Sequence, residues 1–269
     1  MASQPEPEIV LYDLACIKGV CFSPVVWRIR LMLNYKRIPY KTIFLEFPDI
    51  EPTLKALHSC QALVVGSRCI IPPCAKMSHL SGLGPGESST GPKYTVPTIQ
   101  HLPTNTHLMG SEPIARFLES TYPSTQVLLT SDLGIAIKTR ALAAVGKTFR
   151  ASMVPREIKI LSPRAQEYFR RTREAALGHR LEDLLDVSKE DAAWDAADEG
   201  MRAASELIQT HEADGPFILG ALPSLDDFFM AGNLQSARVV DEGLFQRHMK
   251  YDGFNSIYEA CLSYMEKRN

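Results

Sequence analysis

The sequence predicts an α/β domain followed by an all-helical domain, and three observations carry that prediction. Short strand-like runs and helical runs interleave up to Thr121. From about Leu133 onward the apolar residues recur only at three- and four-residue spacing, the period of helices packed on one another. Between these stretches stands Tyr122-Pro123-Ser124-Thr125, a break in both patterns. A chain of 269 residues is long for one small core, so two domains is the natural division. The expected boundaries are 1–122 for the α/β domain, 123–134 for a linker and 135–269 for the helical domain.

Glu8 to Leu14 (EIVLYDL) is near-continuously apolar and reads as a buried strand. The loop ACIKGVCF leads into Ser23-Pro24 and the helical run VVWRIRLMLNYK. Serine is a good N-cap and proline suits the first helical position, so this helix start is well marked. Tyr40 to Phe47 (YKTIFLEF) alternates as a second strand, and Asp49 to Leu57 reads as a short helix. Val96 to His101 forms a third strand with a proline near its start, and Thr106 to Met109 a fourth, joined through Pro103-Thr104-Asn105. A helix over Glu112 to Thr121 completes the order β-α-β-(α)-β-β-α, that of a thioredoxin-like domain. Helical periods then run over Ile135–Phe149, Glu167–Leu185 and Ala192–Ile208, until Asp214-Gly215-Pro216 breaks the last. Pro223-Ser224 restarts a helix, with Asp227 placed to close a capping box of the form S-x-x-D.

Hydrophobic residues make up 45% and charged residues 22%, with a net charge of -2, the balance of an ordinary soluble domain pair. No nucleic-acid surface is expected. The basic residues from Arg164 to Arg173 are interleaved with Glu167 and followed by Glu174, and read as a solvated helix face. The opening MASQPEPEIV lacks a basic start and an apolar core, and no apolar run approaches the roughly 20 residues of a membrane span. Six cysteines in a chain of this size do not form a secreted disulfide framework, so the expected compartment is the cytoplasm.

One stretch, about 58–90, fits neither domain. Its centre, HSCQALVVGSRCIIPPCAKMSHLSG, has no helix or strand period, and the flanking text would join naturally without it. It reads as an irregular insertion, and the clean resumption on both sides suggests a retained intron over 58–82, which the transcript sequence decides. Cys60, Cys69, Cys74 and His79 approach a three-cysteine, one-histidine zinc pattern but miss it in the last two gaps, so no metal is expected.

The segment FSPVVWRIRLMLNYKRIPY resembles the start of glutathione transferases, in particular the β-etherase-like and related fungal groups with S-P-x-V-W-R after the first strand. YTVPTI and GSEPIARFLESTYP stand where that family has its cis-proline strand and its glutathione-holding helix. GPFILGALPSLDDFFMAGNLQSARVVD resembles the family's helical-domain capping motif. The resemblance implies a thioredoxin-like glutathione-binding domain plus an all-α domain, glutathione as cosubstrate, no metal, and a homodimer. It assigns activation of the glutathione sulfur to Ser23. It also implies that Val96, ahead of a cis Pro97, pairs with the cysteinyl backbone, and that Ser111 at a helix N-terminus takes the γ-glutamyl carboxylate. The family has an acid just before that serine; here Gly110 stands there, and either Glu112, one position after the serine, substitutes for it or binding is poorer.

The chemistry agrees with that assignment. A thiol near pKa 8.5 is mostly protonated at neutral pH, and only the thiolate attacks well. A hydroxyl at a helix start, beside unpaired backbone N–H groups, favours the ionised sulfur. Cys21 lies two residues before Ser23 and no C-x-x-C exists, so thiol–disulfide exchange is the less favoured chemistry, and Cys21 reads as packing or a plain exposed thiol. Trp27 and Arg28 read as structural. The expected activity is transfer of glutathione to an apolar or aromatic electrophile, with ether cleavage or isomerisation as variants on one site and the helical domain as an apolar wall. The alternative is a non-catalytic binder that keeps the fold.

Overall fold

The structure, a computed structural model, describes residues 6–57 in full, the helical backbone of 58–63, and residues 94–266. Of the zinc-like series, Cys69, Cys74 and His79 lie outside the described residues, as does most of the expected insertion.

Four strands form one mixed sheet in the order β2-β1-β3-β4. Strand β1 (Ile9–Leu14) is central and all six of its residues are buried, which is why its sequence is apolar at every position but Asp13 rather than alternating. It pairs in parallel with β2 (Tyr40–Leu45) through the crossover helix α1 (Pro24–Tyr35), and antiparallel with β3 (Thr98–His101). Strand β4 (Thr106–Met109) closes the edge antiparallel to β3. Helix α2 (Ile50–Leu63) follows β2 after a single 3-10 turn. It runs past the expected end at Leu57, because His58 to Leu63 contains no glycine or proline to stop it. Helix α3 (Ser111–Thr121) completes the thioredoxin-like order.

The remainder is helical. Helix α4 (Asp132–Thr148), capped by the Ser131 hydroxyl, passes through a π-helical turn at Phe149–Met153 into the short α5 (Val154–Glu157). Helix α6 (Pro163–Leu177), capped by Ser162, ends at Gly178, whose φ of 76° lies in the left-handed region. The expected helix over Glu167–Leu185 is thus two pieces, with a separate 3-10 turn at Leu181–Leu184. The apolar period alone concealed the break. Then follow α7 (Val187–Ile208), α8 (Leu225–Val240), α9 (Glu242–His248) and α10 (Asp252–Cys261). Helix α8 packs against α1 on one side and α10 on the other, while α4 packs against α7. The first helix of the α/β domain is therefore wedged between its own sheet and the centre of the helical domain. None of the described helices is long and apolar enough to cross a membrane.

The expected capping box is present. The Ser224 hydroxyl accepts from the Asp227 amide at 3.4 Å, and the Asp227 carboxylate accepts from the Ser224 amide at 2.6 Å and the Ile218 amide at 2.8 Å. This box starts the helix that carries the domain contact. Ser224→Ala is expected to destabilise the protein by about 1–2 kcal/mol, read as a melting temperature lower by several degrees.

Candidate active site

Ser23 occupies the N-cap position of α1 with extended backbone (φ -75°, ψ 121°), and its hydroxyl makes no capping bond to its own helix. It is 6% exposed and lines a cavity of about 810 Å³. The α/β domain contributes Leu14, Phe47, Tyr94 and Val96 to the same wall, and α6 of the helical domain contributes Tyr168, Thr172 and Arg173. The serine thus faces the space between the domains.

The loop before Ser23 is held from both sides. The Trp27 indole N–H donates to the Cys21 carbonyl at 3.0 Å, and Trp27 itself is fully buried. The Ser236 hydroxyl of α8 donates to the Phe22 carbonyl, and the Ile17 amide donates to the Ile160 carbonyl at 2.8 Å. Cys21 is 0% exposed, so its role is packing: burial, and then the nearby Asp13 charge, push its thiol well above the ordinary range. Its Sγ donates weakly to the Ser23 carbonyl at 3.7 Å. A thiol so placed is a poor nucleophile.

Val96 lies on the cavity wall and the Val96–Pro97 bond is cis. Among the described residues, neither the amide nor the carbonyl of Val96 has a hydrogen-bond partner. Pro97 is buried and its carbonyl accepts from the Gly110 amide at 2.9 Å, which ties the turn to the start of α3. Gly110 has a φ of 90°, a conformation that strains any side chain, so an acid at this position would require the backbone to move. Ser111 is the first residue of α3, and its hydroxyl accepts from Arg28 Nη1 at 3.2 Å. Glu112 points outward and pairs with Lys138 of α4 at 3.4 Å. The cavity wall therefore unites Ser23 and Val96, while Pro97, Ser111 and Glu112 stand off it.

The helical side of the cavity differs from the expected apolar wall. Helix α6 is the stretch that reads as a solvated charged face, yet Tyr168, Thr172 and Arg173 line the cavity. The Arg173 guanidinium sits 5.0 Å from the Phe169 ring centre and 5.8 Å from that of Phe47. The signal for this was the pair Tyr168-Phe169 inside a charged run, with Thr172 one helical turn beyond Tyr168. Lys55 and Glu51 of α2 complete a mixed-charge rim. Among the described residues, no cluster of His, Cys, Asp or Glu is placed to hold a metal ion.

A four-stranded thioredoxin-like sheet, a cis-proline turn beside a serine at a helix start, and a helical domain closing the crevice together define a class of protein. Residues 22–121 match the model of the glutathione S-transferase N-terminal domain and residues 136–253 that of the glutathione S-transferase C-terminal domain, and the chain belongs to this family. It is 29% identical, over 91% of its own length and 85% of the relative's, to the glutathione S-transferase-like protein ustS of Aspergillus flavus. Among solved structures it resembles the glutathione S-transferase CsGST63524 of Ceriporiopsis subvermispora in complex with glutathione. That likeness has 27% identity and a TM-score of 0.77, covering 95% of this chain and 97% of that one. It also resembles the glutathione transferase GSTFuA3 of Phanerochaete chrysosporium, with 25% identity and a TM-score of 0.74, covering 96% and 97%.

Proposed function

We propose that this protein is a glutathione transferase in which the Ser23 hydroxyl and the first amides of α1 hold the glutathione sulfur as a thiolate. The observation that carries the reading is that Ser23 is left uncommitted by its own helix while lining an interdomain cavity with Val96. A bound sulfur there would accept the serine O–H, and the partial positive charge of the helix start would favour its ionised form. The Val96 backbone, unpaired among the described residues, would hold the cysteinyl unit by two amide-type hydrogen bonds. Ser111, at the start of α3, would take the γ-glutamyl carboxylate, and Glu112 its ammonium.

The thiolate would attack an electrophilic carbon, forming a C–S bond as the leaving group departs with the electron pair of the broken bond. Phe47, Tyr94 and Tyr168 favour an aromatic cosubstrate, and Thr172 and Arg173 favour one with a polar edge. Displacement of an aryloxide, which is ether cleavage, is the same step with a phenol as leaving group. Holding both partners in one crevice supplies the positional advantage.

In the wild-type complex, thiolate absorbance against pH is expected to show a sulfur ionising well below its free value of roughly 8.5. In Ser23→Ala, ionisation is expected to move back up by about 1–2 units, with turnover at neutral pH falling roughly ten- to hundredfold. An unshifted thiol in the wild-type complex, with Ser23→Ala unchanged, would leave a non-catalytic binding protein. The conformation of Gly110, which keeps an acid from the position before Ser111, is the observation on that side.

A further inference from the structure

Arg28 is a buried cation whose surroundings leave it only partly compensated. It lies on α1 and is 5% exposed, and burial pulls its guanidinium below the ordinary arginine range. Its Nη1 donates to the Ser111 hydroxyl at 3.2 Å and the guanidinium lies 5.7 Å from the Phe229 ring centre. Among the described residues its Nε, buried, has no hydrogen-bond partner. The nearby acids are Glu112 and Asp226, and among the described residues neither forms a contact ion pair with it. Asp226 Oδ2 is likewise buried and, among the described residues, without a hydrogen-bond partner.

The direction of the Arg28–Ser111 bond has a chemical consequence. A hydroxyl carries one hydrogen and two lone pairs, whereas a guanidinium can only donate. Once a lone pair of Ser111 Oγ is occupied by Arg28, the serine proton is left for an outside acceptor. Ser111 also opens α3, a helix of 11 residues whose first amides are unpaired and carry partial positive charge. A serine fixed as donor, a helix start and a cation one bond behind it form a constellation suited to a carboxylate.

We infer that Arg28 is a positioning residue for carboxylate recognition at Ser111, acting through the serine hydroxyl on the γ-glutamyl carboxylate of glutathione. This rests on the proposed function and adds a residue from α1, so that one helix serves the sulfur at its first turn and the carboxylate at its second. The competing account is purely structural: Arg28 bridges α1 to the acids of α3 and α8, and its loss would weaken every ligand equally.

Calorimetric titration of the full-length protein separates the two. The probes are glutathione and an analogue in which γ-aminobutyrate replaces γ-glutamate, lacking only the α-carboxylate. Arg28→Ala is expected to weaken glutathione at least tenfold and the analogue less than twofold. In a Ser111→Ala background, Arg28→Ala should add little further loss. Arg28→Lys, which keeps the buried stem and the charge, should recover part of the affinity, and it carries the same comparison if the alanine variant does not fold. Equal losses for both ligands, or losses of Arg28 and Ser111 that simply add, would overturn the role of Arg28 while leaving glutathione binding in place. Failure of the wild-type protein to bind glutathione at all would overturn the function and this inference together.

Discussion

Asp13→Ala is expected to destabilise the protein by about 3–5 kcal/mol, because it strands a buried charge. Asp13 stands in the central strand and Arg30 on the helix above it, each side chain 0% exposed. Both Arg30 Nε and Nη2 donate to Asp13 Oδ2, at 2.9 and 2.8 Å, and Nη2 also donates to the Thr42 hydroxyl at 2.9 Å. Burial raises the Asp13 carboxyl while Arg30 pulls it back. Among the described residues Arg30 Nη1 already lacks a hydrogen-bond partner, so removal of the carboxylate would leave a second guanidinium nitrogen, Nε, unpaired as well. Removing both charges is a different matter. Asp13→Ala combined with Arg30→Met should recover most of the loss, since a buried pair is often replaceable by apolar packing. Urea unfolding of the single and double variants reads this directly, and a single-variant loss below about 1 kcal/mol would contradict it. The effect also bears on the site, because the Asp13 charge lies near the Cys21 thiol, whose S–H donates to the Ser23 carbonyl at 3.7 Å.

Much of the architecture was legible because it is written in local signals. The near-continuous apolar run of β1, the Ser23-Pro24 helix start and the Ser224–Asp227 box each specify their element within a few residues. For the same reason Ser23 and Val96, both beside local punctuation, were readable as site candidates. What stayed hidden depends on contacts between distant segments. Ser111 and Arg28 are 83 residues apart and Glu112 and Lys138 are 26 apart, and neither pairing leaves a periodic trace in the sequence. The contribution of α6 to the cavity was masked by its charge. Arginine and glutamate alternate along it as on a solvated face, and only tertiary packing turns Tyr168 and Arg173 toward Phe47. Likewise, a single left-handed residue, Gly178, divides what the apolar period reads as one helix.

Glu157 carries a pH dependence of stability with a definite sign. Its side chain, on α5, is 8% exposed, and burial raises its carboxyl to about 7, with the Arg173 charge opposing that rise. An unfolded chain releases the same proton near 4.3. Between these values the native state holds a proton that the unfolded state has lost, so unfolding stability falls as pH rises through this window and levels off above it. The full penalty is about 3–4 kcal/mol at 1.36 kcal/mol per unit. Glu157→Gln is neutral at every pH and keeps the shape. It is expected to stabilise the protein by roughly 3 kcal/mol near pH 8, the attraction to Arg173 being already contained in the raised value, and by almost nothing near pH 4. At about 2–4 °C per kcal/mol, the melting temperature should rise by roughly 5–10 °C at the higher pH alone. An equal gain at both pH values would place the benefit in packing instead. No gain at either would mean that the carboxylate is solvated as it ionises, with Arg173, which also lines the cavity, drawn toward it and away from Phe47.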